Sequence, residues 1–173
     1  DNLLLSDLSI KAITRKSVKS YVINFANTSN QILQNLDILM DNSEQNSYYQ
    51  DSSIGSYGIF GGTTIGFYGV NTIAEAKVSP HGNFHVVSFA IKNSDAHVYG
   101  VVNINMLQNG SRGIGATSLN VENNATLNIS SGLFGFAAGT SNFNGNAKVN
   151  IQTAYGLAGG TYNINDKAIL NIR

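Results

Sequence analysis

A phrase of five residues returns three times near the C-terminus, and this return constrains the fold more than any other feature. The phrase reads Ala125-Thr126-Leu127-Asn128-Ile129, then Ala147-Lys148-Val149-Asn150-Ile151, then Ala168-Ile169-Leu170-Asn171-Ile172. A second landmark runs between them: Gly115-Ala116-Thr117, Ala138-Gly139-Thr140 and Gly159-Gly160-Thr161. Its threonines keep nearly the same interval as the first phrase. Two landmarks drifting together at a fixed period are the mark of a repeat architecture, in which each unit buries its apolar side only by stacking on the next.

The phrase alternates apolar and polar positions, which places residues 125, 127 and 129 on one side of a strand and 126 and 128 on the other. No stripe of helical period competes with it, and each glycine in a helix interior would cost about 1 kcal/mol. The glycines at 135, 139, 156, 159 and 160 are expected where the chain bends between strands. One unit therefore reads strand, glycine corner, strand, polar turn. The expected fold is all-β, a right-handed parallel β-helix or β-solenoid with a coil of about 21–23 residues. It is expected to cover positions 1–173 as one domain.

The repeat weakens upstream. Leu8 to Thr14, Tyr21 to Phe25, Ile32 to Asp41, Phe84 to Ile91 and His97 to Asn105 still read as strands, and Gly58 to Thr64 resembles the glycine–threonine corner. Residues 41–57 are polar and are expected to leave the stack as a loop excursion. Allowing for it, the chain is expected to hold six or seven coils.

Charge narrows the partners. Ten acidic and ten basic residues leave no net charge, and the charged fraction is 12%, so the driving force for nucleic-acid binding is missing. The basic group Lys11, Arg15, Lys16 and Lys19 reads as a solvated strand face. Cysteine is absent, which rules out disulfides and thiolate metal sites. No run approaches the ~20 apolar residues of a helical membrane span, and no membrane insertion is expected. The polar start and strand-like end suggest a piece of a longer protein.

Candidate chemistry is sparse. His81 and His85 share a strand face but would lie roughly 13 Å apart, too far for one ion. No metal and no cofactor are expected. The acids Asp37, Asp41, Glu44, Asp51, Glu75, Asp95, Glu122 and Asp166 are scattered along the chain, although Asn93-Ser94-Asp95 distantly resembles an Asn-x-Asp site. No catalytic residue is assigned. Asn128, Asn150 and Asn171 are placed to form a hydrogen-bonded ladder from coil to coil, with Thr117, Thr140 and Thr161 as a parallel array. The array lacks the Thr-x-Thr pattern of an ice-binding face. The candidate ligand-binding residues are aromatic: Tyr48, Tyr49, Tyr57, Phe60 and Tyr68 lie in or beside the polar excursion, and exposed rings stack on sugars and anchor protein contacts. Burial of Phe60, Phe67 and Tyr68 in the core is the alternative.

Ile32-Leu33-Gln34-Asn35-Leu36-Asp37-Ile38, with the Asn-Ala-x-Leu/Val-Asn-Ile phrases at 124–129 and 146–151, resembles the pectate-lyase-like adhesive domains of Lactobacillus-type Gram-positive surface proteins. Autotransporter passenger β-helices carry similar coils and are the second resemblance. Either implies a right-handed parallel β-helix displayed outside the cell, binding host or bacterial surfaces without catalysis and with no specific ligand; the expected partners are host or bacterial glycans, matrix proteins or further copies of the chain. Two alternatives stay open: a fragment of a polysaccharide-active β-helix enzyme, and a structural spacer or filament subunit that self-associates through the solenoid edges.

Overall fold

A computed structural model of the chain describes residues 3–13, 20–25, 30–41, 55–75, 87–106 and 111–173. These form twelve strands: β1 (Leu3–Ile13), β2 (Ser20–Phe25), β3 (Gln31–Asp41), β4 (Gly55–Glu75), β5 (Val87–Val98), β6 (Val101–Met106), β7 (Ser111–Val121), β8 (Thr126–Ser131), β9 (Phe134–Phe143), β10 (Lys148–Gln152), β11 (Thr161–Ile164) and β12 (Ile169–Ile172). All pairings between them are parallel. Among the described residues there is no helix, and the strands wind into a β-solenoid. The upstream turns use more residues each than the C-terminal ones.

The strands stack in three files. Stack A holds β2 and the beginnings of β4, β5, β7 and β9. Stack B runs from the first residues of β1 and β3 through the middle of β4 and the ends of β5, β7 and β9 to β11. Stack C takes the ends of β1, β3 and β4, then β6, β8, β10 and β12.

Register explains both the core and the fading repeat. Stack C aligns Ile10, Ile38, Ile73, Ile104, Ile129, Ile151 and Ile172 in a single file. Of these, Ile38, Ile104, Ile129 and Ile151 are buried. Ile23, Ile59, Ile91, Ile114 and Phe136 form the corresponding file in stack A. Phe67, Val98, Val121 and Phe143 line stack B from inside. β-branched residues suit such files because each presents a broad apolar surface to similar neighbours about 4.8 Å away.

The corner between stacks B and C has a conformational requirement of its own. Asp7, Asn35, Gly69, Asn123, Gly145 and Asp166 occupy it along the stack, all at positive φ between 40° and 87°. Left-handed backbone costs most residues about 1–2 kcal/mol, and Asn, Asp and Gly least. The corner is thus written in the sequence by residue type even where the repeat is not.

Two expectations are corrected. Gly135 and Gly139 lie inside β9 and are not bends; Gly156, Gly159 and Gly160 do have positive φ. Gly135 is required for close approach instead, since a Cβ there would lie 2.6 Å from Ile151 Cγ2. The threonine alignment slips by one: Ser118, not Thr117, pairs with Thr140, which pairs with Thr161. The expected excursion at 41–57 begins and ends in strands, with Asp41 in β3 and Gly55 to Tyr57 in β4; residues 42–54 lie outside the described residues.

Candidate functional site

The outward side of the solenoid carries ordered files of its own. On stack C, Asn128 Nδ2 donates to Asn103 Oδ1, Asn150 to Asn128 and Asn171 to Asn150, each at 2.8 Å. On stack B, Asn142 donates to Asn120 at 2.9 Å and Asn163 to Asn142 at 2.8 Å. Beside them Asn144 donates to Glu122 at 3.1 Å and Asn165 to Asn144 at 2.8 Å. Every donor points upstream. Two of these files begin at a carboxylate, Asp95 for Asn120 and Glu122 for Asn144, at 3.4 and 3.1 Å. A carboxylate only accepts, so the first amide must donate to it, and the direction propagates.

These amides serve each other, which bears on where a ligand can bind. A hollow of about 580 Å³ lies over Asn128, Asn150 and Asn171 beside Gln152 and Arg173. Its amides are already engaged along the ladder, so a ligand there would have to compete with them.

A second hollow, of about 540 Å³ including its open mouth, is lined by Phe60, Gly61, Lys92, Asn93, Ser94 and Thr117. It sits where stack A hands over to stack B, so three turns contribute. Phe60 in β4 pairs with Lys92 in β5, which pairs with Gly115 in β7. A Cβ at Gly115 would approach Lys92 Cδ to 2.9 Å and Phe89 Cε1 to 2.7 Å; the missing side chain makes room for the lysine stem. Lys92 Nζ rests 5.2 Å from the Phe89 ring centre, a cation–π contact. Phe60 is held at its rim by Tyr21 and Tyr57, at ring separations of 4.9 and 5.1 Å.

Asn93 is a buried part of the lining. It is 9% exposed, and its Nδ2 donates to the Asp95 backbone carbonyl at 2.6 Å. Its Oδ1 is buried and has no hydrogen-bond partner among the described residues. An unpaired buried acceptor costs roughly 1–3 kcal/mol, and this oxygen is closed to solvent. Around it stand an ammonium, two hydroxyls and an aromatic ring. The lining contains no carboxylate and no histidine among the described residues, so it offers no general acid or base of those types.

The aromatic candidates divide. Tyr48 and Tyr49 lie outside the described residues. Phe67 is fully buried in the core. Tyr57, only 8% exposed, stacks between Tyr21 at 5.3 Å and Phe89 at 6.1 Å. Burial pushes its phenol above the usual value, Tyr21 adding to the rise and Arg112 opposing it. Phe60 reaches the hollow, and Tyr68 stacks on Tyr99 at 4.6 Å on the other face. Sequence distance hid the rest of the aromatic file: Arg112 bridges Phe89 and Phe134 at 5.3 and 5.7 Å, and Tyr155 follows Phe134 at 5.5 Å.

His81 and His85 are outside the described residues, whereas His97 contacts two acids, Asp95 at 2.9 Å and Glu122 at 3.4 Å. These acids are separated by more than a full turn of chain. They become neighbours through the β5–β7 pairing, which sets His97 beside Asn120. No group of metal-ligating side chains occurs among the described residues. Compared with protein-family models, curated proteins and solved structures, the chain matches none of them.

Proposed function

We propose that this chain is a non-enzymatic interaction module of a bacterial surface protein, and that it binds glycans in the Phe60–Asn93 hollow. The observation that carries this reading is an open hollow whose lining brings the Phe60 ring together with Lys92, Ser94 and Thr117. A sugar supplies what the cavity lacks. Its hydroxyls accept from Lys92 and exchange bonds with Ser94 and Thr117, while its C–H face packs on Phe60. The β-solenoid is compatible with pectate-lyase-like adhesive domains and with autotransporter passengers, which supports reading the chain as one such surface domain.

The test is a glycan array probed with the full chain, followed by calorimetry on the sugars retained. Phe60→Ala and Lys92→Met should each weaken binding at least tenfold, and Asn171→Ala should leave it unchanged. An array without a single retained glycan, or retention unaffected by both hollow variants, would refute the assignment.

A further inference from the structure

On stack B the solenoid turns a second and different surface outward. Tyr68 and Tyr99 are 41% and 44% exposed, and their rings stack at 4.6 Å and 14°. His97 lies parallel to Tyr99 at 6.0 Å. The ring pair lies against the sheet because residue 66 is glycine: a Cβ there would already be 3.0 Å from Tyr68 Cε2. Beside the rings are the two acids that flank His97. Asp95 accepts from His97 Nε2 at 2.9 Å and from Thr64 Oγ1 at 3.3 Å. Glu122 Oε1 is 3.4 Å from His97 Nδ1, and its other oxygen receives Asn144.

The charge count is unbalanced. Among the described residues, neither acid has a lysine or arginine in ion-pair range; His97 is the single partner of both. Even a fully protonated imidazole would leave one negative charge over. The same field is felt at the Tyr99 hydroxyl, held above its usual range by burial first, then by Tyr68, Glu122 and Asp95. Aromatic ring faces also attract cations through their quadrupole. Rings and carboxylates therefore select the same ligand charge. They repel an anion.

We infer that Tyr68, Tyr99, Asp95 and Glu122 form a second binding site, which takes the side chain of a lysine on a protein partner. Its four-carbon stem packs along the exposed tyrosine rings and its ammonium group reaches the acids. The site shares no lining residue with the glycan hollow.

The test uses the full chain and a small probe, followed by NMR of the tyrosine ring resonances. Nα-acetyl-lysine methylamide should shift Tyr68 and Tyr99 saturably, whereas the uncharged Nα-acetyl-norleucine methylamide should shift them at least tenfold less at equal concentration. Raising sodium chloride should weaken the lysine effect, because exposed charges are screened over about 8–10 Å. Asp95→Asn with Glu122→Gln should abolish it, and Tyr68→Leu should reduce it about tenfold with the circular dichroism spectrum unchanged. Equal shifts from norleucine, no dependence on the acids, or stronger binding of glucosamine than of lysine would each overturn the assignment. Loss of glycan binding in the hollow variants would leave this outcome untouched, so the two readings fail separately.

Discussion

Asn150 donates its side-chain amide to Asn128 at 2.8 Å across one turn of the solenoid, and Asn171 repeats the bond to Asn150. The middle residue is donor and acceptor at once. Asn150→Ala therefore removes two bonds and leaves a donor and an acceptor facing the gap, where Asn171→Ala removes one at an exposed end. With each such bond contributing about 0.5–1.5 kcal/mol net, Asn150→Ala should destabilise by about 1–3 kcal/mol and Asn171→Ala by less than about 1 kcal/mol. Urea denaturation of both variants checks this; equal losses would show that the ladder contributes no more inside than at its end.

Close approach and backbone strain can be separated with two glycines. A Cβ on Gly113 would lie 2.5 Å from the Gly135 carbonyl oxygen and 2.7 Å from Ile129 Cγ2. Backbone on the next turn cannot yield without shifting the strand. Gly159 has a positive φ of 64° but nothing within 4 Å of its Cβ position. Gly113→Ala should cost about 1–3 kcal/mol or more through overpacking, and Gly159→Ala about 1–2 kcal/mol through the left-handed penalty alone. Replacing Gly159 with Asn, which tolerates that region, should recover part of the loss; Asn at 113 should recover none. Thermal melts of the four variants distinguish the two causes.

Those glycines also show what was legible in the sequence. The period is readable from Ile129 to Ile151 to Ile172, where the file advances by nearly the same stretch of chain at each turn. It is not readable from Ile38 to Ile73 to Ile104, where each step is about half as long again although the same file continues. Loop insertion changes spacing without changing the pleat, so a fixed-period search loses coils that the structure keeps. The asparagine positions 128, 150 and 171 are visible for the same reason that their isoleucines are. The hollow carries no such signal, because Phe60, Lys92 and Thr117 come together only through the stacking of β4, β5 and β7. Asp95, His97 and Glu122 become neighbours only once β5 and β7 are paired.

Core packing should be least forgiving where a large ring closes a file. Phe136 is fully buried, follows Ile114 in stack A, and meets Phe143 of stack B at 6.0 Å. Cutting it to alanine leaves a cavity bounded by strands that their ladders hold apart, so relaxation is limited. Phe136→Ala should cost about 3–5 kcal/mol, against less than about 1.5 kcal/mol for Phe136→Leu if the neighbours repack. Equilibrium unfolding of the two variants checks the difference.

High pH provides a last, independent probe of the aromatic files. Tyr57, Tyr99 and Tyr162 all have phenols held above the usual value of 10.0, in each case chiefly by burial. The unfolded chain ionises these groups near about 10, before the folded chain does. Their contribution to stability is therefore complete below about pH 10 and is lost as pH rises through the folded values. Tyr57, stacked on both sides, should ionise late, and Arg112 opposes the rise only in part. Titration of phenolate absorbance should show a delayed component that Tyr57→Phe removes, and the alkaline loss of stability should become shallower in that variant. A tyrosine titration that is uniform near about pH 10, in a chain still folded, would contradict the burial of Tyr57 between Tyr21 and Phe89.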